Sequence, residues 1–222
     1  VKLNILADLI IFSAQDLNDT IIFLDGDAFP VHPLDGFLSE CLLSHPLAAI
    51  RRDENLVDKQ PHPSFCLTTV GFWKSIKGDW KAGATWKTPF GTITDVGGNL
   101  LQQLNSRNVS WLPILRSEGA PAHPLWFGMY GGVIYHHGSG FRIPISRVDR
   151  ELAMTRLQHG SILQQLLYFV FKPFPKRIRY ILLKFSGSFR KIIRSSHSTG
   201  NQIYGDIVAG LPFWENLSRY KG

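Results

Sequence analysis

The sequence predicts an α/β fold with a basic helical appendage. Short apolar runs that end in polar or Gly-rich turns alternate with segments of helical period over residues 1–150, and residues 151–222 change to basic, helix-like pieces. The 222 residues, 44% of them hydrophobic, suffice for a sizeable core and exclude disorder as the main state. Charge divides at the same place. Residues 1–140 carry 10 basic and 13 acidic side chains and residues 141–222 carry 14 and 4, so the formal +7 belongs to the last third. Cys41 and Cys66 lie in no Cys-x-x-Cys or Cys/His cluster, which excludes a disulfide scaffold and a zinc ribbon and points to a reducing, cytoplasmic location.

Leu3, Leu6, Leu9 and Ile10 keep helical spacing to about Ala14, and residues 15–19 form a polar connection. Ile21-Ile-Phe-Leu24 is a short continuous apolar run, which predicts a buried strand with its polar groups at the carboxyl end. A helix is expected over 37–43, strands over 47–51 and 66–70, and a helix start near Phe72-Trp73. Residues 74–90, rich in Gly, Lys and Trp without periodicity, read as a loop. A helix over 99–104 and a strand over 109–115 follow. Gly131-Gly-Val-Ile-Tyr135 then reads as a last strand delivering His136-His137. Beyond Pro144 the helical pieces 151–157, 162–171, 177–185 and 189–194 are punctuated by Pro173, Pro175 and Gly187, and a domain boundary is expected near residue 150. Residues 162–171 are about half of the roughly 20 residues a membrane-spanning helix needs. The chain opens Val-Lys-Leu-Asn with none of the marks of a signal peptide. Three glycosylation sequons, at Asn18, Asn108 and Asn216, are too short a pattern to carry weight.

The strongest local motif is Asp25-Gly-Asp27 at the end of the 21–24 strand. Two carboxylates at i and i+2 of an extended chain point apart, but a turn at Gly26 brings both to one hard cation, where phosphate oxygens complete a Mg or Mn site. The same residues also make an ordinary post-strand turn.

With this motif the sequence resembles the GT-A class of nucleotide-sugar glycosyltransferases, whose D-x-D ends a strand and holds a divalent metal against the donor diphosphate. The resemblance continues in order through His62-Pro-Ser-Phe-Cys-Leu-Thr-Thr-Val-Gly-Phe-Trp73, Thr94-Asp95-Val-Gly-Gly-Asn-Leu-Leu and Tyr135-His-His-Gly-Ser-Gly-Phe-Arg142. It implies a mixed sheet flanked by helices, a nucleotide-sugar donor, a saccharide or lipid-linked acceptor, and Mn2+ or Mg2+ at Asp25 and Asp27. In retaining members a late His of an H-x-x-G run completes the metal site, and His137-Gly-Ser-Gly140 has that spacing. The family continues G-x-x-K-P-W, with its Lys on the diphosphate. Here Phe141-Arg142-Ile-Pro144 follows, and Arg142 is the substitute cation. Members carry a nucleotide-binding βαβ half ahead of the D-x-D. Only 24 residues precede Asp25, so the resemblance implies a chain lacking that half.

The remaining site residues follow from chemistry and from the resemblance together. Adjacent strand residues face opposite ways, so one of His136 and His137 is expected at the metal, with His137 preferred, and the glycine at Gly138 lets backbone approach a phosphate. Asp95 is either the carboxylate at the reacting face, as base or as charge stabiliser, or an N-cap of the following helix. His62, Ser64 and Trp73 suit a pyranose pocket, and equally a His-Pro turn into a core strand with packed aromatics.

Lys172, Lys176, Arg177, Arg179, Lys184, Arg190, Lys191 and Arg194 interleave with apolar residues over 172–194. The pattern fits an interfacial helix on an anionic membrane surface or a solvated helical cap. No nucleic-acid motif accompanies the charge. Two other functions fit the same sequence. A D-x-D strand is also the nucleophile motif of haloacid-dehalogenase-like phosphotransferases, and the chain could be a non-catalytic membrane-binding or carbohydrate-binding module.

Overall fold

The computed structural model describes residues 2–54, 58–88, 91–117, 127–138, 154, 157–158, 161–185 and 187–220. The chain divides into two compact units, Val1–Gly138 and Ser139–Gly222. The boundary expected near residue 150 lies outside the described residues.

The first unit is mixed α/β, with a four-stranded sheet at its centre. Its strands β1 (Thr20–Leu24), β3 (Leu47–Ile50), β4 (His62–Thr69) and β7 (Leu112–Ile114) lie in the order β1-β4-β3-β7, where β4 is antiparallel to both neighbours and β3 runs parallel to β7. Side-chain alternation sends Leu47 and Ala49 to one face and Ala48 and Ile50 to the other. On the first face Ile21, Phe23 and Cys66 pack with Trp73, Trp80, Leu100 and Leu104 from helices α3 (Val70–Ile76) and α4 (Gly98–Ser106) and the link between them, joined by Ala7 of α1 (Lys2–Ser13). On the second face Phe65 and Leu67 meet Cys41 of α2 (Asp35–Leu43) and Tyr130 and Ile134 of a smaller antiparallel sheet. That sheet, β2-β9-β8, comprises β2 (Ala28–Pro30), β8 (Gly128–Tyr130) and β9 (Ile134–His136).

Three sequence expectations change. First, β1 is not buried on both faces: it is the edge strand, and Ile22 and Leu24 stay exposed while Ile21 and Phe23 are buried. A continuous apolar run does not tell a central strand from an edge strand with one apolar outer face. Second, residues 74–90 are not a plain loop. They hold the end of α3, where Trp73 and Ile76 fall one turn apart on the buried face, and the hairpin strand β5 (Trp86–Thr88), paired with β6 (Gly91–Ile93). Two helical turns and a three-residue strand are too short to display a period. Third, the run 131–135 is not one strand. Gly131 and Gly132 adopt φ of 58° and 70°, a left-handed turn that glycine accepts without a Cβ penalty, and fold β8 back onto β9.

The second unit is helical. Its elements are α5 (Ile162–Phe171), opened by a capping box between Ser161 and Gln164, then α6 (Lys176–Phe185), α7 (Gly187–Val208) and a 3₁₀ segment, Phe213–Tyr220. Its small core joins Met154, Leu157, Phe171 and Leu183. At the far end the 3₁₀ segment packs on α7 and buries Phe213, Leu217 and Tyr220, with Arg219 paired to Asp206 at 2.7 Å. Gly200 and Gly205 are both carried inside α7. Among the described residues no helix is long and apolar enough to cross a membrane.

Candidate functional site

The D-x-D sits on a tight turn between the two sheets of the first unit. Asp25 ends the ladder of β1, its N–H donating to the Ser64 carbonyl at 3.2 Å, and its own carbonyl accepts from Ala28 N–H at 3.1 Å, which closes a turn over Gly26. The Asp25 carboxylate is exposed and accepts from the Gly26 N–H at 2.9 Å. Past the turn the chain enters β2, whose pairing with β9 sets Ala28 opposite His136.

That register brings Asp27 to the histidines. His136 Nε2 lies 3.4 Å from Asp27 Oδ1, and the backbone N–H of His137 donates to the Asp27 carbonyl at 2.8 Å. Asp27 Oδ1 is buried and has no well-aligned hydrogen bond in spite of the nearby imidazole. Burial alone would raise the Asp27 pKa, but His136, aided by His137, outweighs it and holds the carboxyl below its ordinary value. His137, 1% exposed, turns its ring the other way, where Nδ1 meets the Tyr135 hydroxyl at 2.6 Å. Burial, reinforced by His136 and opposed by Asp27, pushes the His137 pKa down to about 4, so its imidazole is neutral at pH 7. Of the two histidines it is therefore His136, and not the preferred His137, whose ring reaches the carboxylate. Gly138 follows in the left-handed region at φ 61°. Arg142 lies outside the described residues.

His62 and Ser64 open β4 beside this cluster. His62 Nδ1 lies 2.7 Å from Ser64 Oγ and accepts from the Ser64 N–H, and its ring centroid is 5.9 Å from that of His136. Desolvation, with Arg52 and His136 adding, holds the His62 pKa well below the usual imidazole range. Trp73 is not with them. It is 2% exposed and packs in the core, its ring 4.6 Å from Phe23 and 5.4 Å from Trp80, because α3 presents it inward.

Asp95 is not the N-cap of α4. That position is Gly97, at φ 94° and without a side-chain cap. A Cβ there would lie 1.9 Å from the Pro61 carbonyl oxygen, and one on Gly98 would lie 2.7 Å from the Gly83 nitrogen, so the Gly-Gly pair serves backbone approach. The Asp95 carboxylate instead accepts from the Val96 N–H through Oδ1 and from Arg52 Nη2, at 2.9 Å, through Oδ2. The same Arg52 nitrogen lies 3.2 Å from Asp58 Oδ2. Asp58 is 1% exposed, and its burial, only partly offset by Arg52, raises its pKa.

Arg52, Asp58 and Tyr135 are the residues that sequence reasoning missed. The signal for Arg52 was charge placed just after the apolar 47–50 strand, where α/β sheets concentrate polar function, whereas Asp58 and Tyr135 carry no comparable local mark. Among the described residues, no group of three or more His, Cys, Asp or Glu side chains is arranged to hold a metal ion. No protein-family model matches this chain, and no curated protein or solved structure matches it.

Proposed function

We propose that the first unit transfers a sugar, with the help of a divalent metal, from a nucleotide-sugar donor to a saccharide or lipid-linked acceptor, in the manner of GT-A glycosyltransferases. The observation that carries this reading is the β2·β9 register. It sets Asp27, from the turn after β1, against His136, whose ring lies beside His62 at the start of β4; Arg52, just after β3, holds Asp95.

The donor set fits Mn2+ or Mg2+. A buried carboxylate oxygen without a well-aligned hydrogen bond stands beside an imidazole, and ligands of that kind leave positions for diphosphate oxygens. Asp27 and His136 would hold the ion, with Asp25 and His137 as further candidates, and the ion would supply charge neutralisation for the departing nucleotide. Arg52 fixes the orientation of Asp95, which either takes the proton of an acceptor hydroxyl or steadies positive charge at the anomeric carbon. His62, held neutral and hydrogen-bonded to Ser64, offers a hydroxyl-reading edge.

The test is Mn-dependent turnover of a panel of nucleotide sugars. Asp27→Ala should lower it by at least about a hundredfold. Full activity in that variant overturns the metal assignment.

A second reading concerns the helical unit by itself. On α5, Ile162, Leu163, Leu166, Phe169 and Val170 are all exposed and follow one helical stripe, with exposed Lys172 and Arg177 next in the chain. Such a stripe suits the surface of an anionic bilayer, as peripheral membrane proteins use it. Arg179 is spent otherwise, its Nη2 donating to the carbonyls of Lys172 and Phe174 at the end of α5. The side chains of Lys176, Lys184, Arg190, Lys191 and Arg194 lie outside the described residues.

A further inference from the structure

A cavity of about 400 Å3, within the size range of small-molecule sites, opens beside the Asp58–Arg52–Asp95 network. Its walls come from the chain just before β4 (Lys59, Gln60), from the approach to and first residues of β5 (Thr85, Trp86, Lys87) and from Leu101 of α4. Gln60 is the informative residue. It is 1% exposed, and neither Nε2 nor Oε1 of its carboxamide has a hydrogen-bond partner. A buried amide left in that state is destabilising, so a protein gains little by keeping one unless something else satisfies it. One carboxamide offers two donors and an acceptor side by side, which matches a pair of neighbouring hydroxyls. Trp86 and Leu101, both half-buried, add an apolar wall of the kind that covers the C–H face of a pyranose.

The rim carries charge of one sign. Lys59 and Lys87 are exposed, and among the described residues no acidic side chain lines the cavity and neither lysine enters an ion pair. We propose that this cavity binds an acidic saccharide: the Gln60 carboxamide takes the hydroxyls, Trp86 covers the ring, and Lys59 and Lys87 take the carboxylate. In the transferase reading this is the acceptor subsite. That role rests on the reading; the binding does not.

The experiment is a titration of the full chain, followed by tryptophan fluorescence and ligand-observed NMR, in chelator and without nucleotide. The probes are short oligosaccharides of galacturonate, of glucuronate and with terminal sialic acid, each beside its carboxyl-reduced, neutral counterpart. Saturable binding is expected for at least one acidic probe, weakening by about tenfold or more for the neutral form, the loss of roughly one charge-assisted hydrogen bond. Gln60→Met keeps the shape and removes the unmatched amide, so it should weaken binding while thermal stability holds or rises. The exposed pair Lys59→Ser and Lys87→Ser should remove the preference for acid without changing stability. No binding of any acidic probe to the folded protein, equal binding of neutral and acidic probes, or binding untouched by both variants overturns the proposal. A failed titration with Mn-dependent transfer intact condemns the cavity alone, and intact binding without transfer condemns the transferase reading alone.

Discussion

A few charged groups of the first unit are drawn inside beside partners, whereas α5 of the second unit leaves a run of apolar groups outside, as α1 of the first unit also does. Arg52, at 13% side-chain exposure, bridges Asp58 and Asp95, and Asp27 is drawn against His136. On α5, by contrast, Leu163 and Phe169 are 69% and 65% exposed. Burial of ionisable groups is tolerated only where partners compensate desolvation, as the Arg52 guanidinium does beside Asp58 and Asp95. The α5 stripe is exposed, and in the membrane reading proposed above it is the face that would meet a bilayer.

The largest effects should separate the two kinds of aromatic residue. Trp73→Ala is expected to cost about 3–5 kcal/mol in urea unfolding, since it empties a core site between Phe23 and Trp80. Phe169→Ala should stay within about 0.5 kcal/mol. A comparable cost at both positions would mean that the α5 stripe is covered, and the contrast between the units would collapse.

Cations should divide in the same way. Arg52→Met strands Asp58 in the interior and is expected to cost about 3–5 kcal/mol, part of it recovered by adding Asp58→Asn. Arg177→Met, at an exposed position, should leave the unfolding midpoint unchanged. An inert Arg52→Met would remove the argument that this cluster is built around its charges.

The pH dependence sharpens the picture of the first unit. His137, depressed to about 4, and His62, held by burial well below the usual imidazole range, are neutral in the folded protein and take up protons on unfolding. Their contribution is fully present above about pH 6.5 and is lost as pH falls toward 4. Asp58 has the opposite sign, because its raised pKa favours the fold at low pH and works against it as pH rises through that value. With two histidines against one carboxyl, the melting temperature should drop steadily from pH 7 to pH 4.5, and more steeply in Asp58→Asn. A flat profile would place these imidazoles in water.

The smallest effect concerns the second unit. Replacing Lys172 and Arg177 together by Gln should weaken co-sedimentation with phosphatidylserine vesicles by about 1 kcal/mol per charge, an effect erased by high salt. Vesicle binding that ignores both salt and these two charges would leave the apolar stripe as the whole of the membrane argument.

Much of this is legible in the sequence. The helices over α2, α4 and α6 follow from spacing, and the D-x-D was identified where β1 does end. What misled was brevity: β5, β6, β8 and β9 span three residues each, fewer than any periodicity can register. Trp73 was ambiguous for a different reason. An aromatic after a strand looks alike whether its helix turns it to the core or to a pocket, and only the cap at Thr69, accepting from Phe72 N–H at 3.2 Å, sets the phase of α3.

The sequence by itself determined the alternation of elements, the split of charge between two units and the chemical identity of the candidate ligands, because these depend on local sterics and composition. Tertiary structure decided that β1 is an edge strand, that His136 and not His137 turns to Asp27, and that Arg52 gathers Asp58 and Asp95. Each of these depends on strand register between residues far apart in the chain, Ala28 opposite His136 above all. A shift of one residue in that register would turn every side chain of β9 to its other face, and nothing local to either strand fixes it.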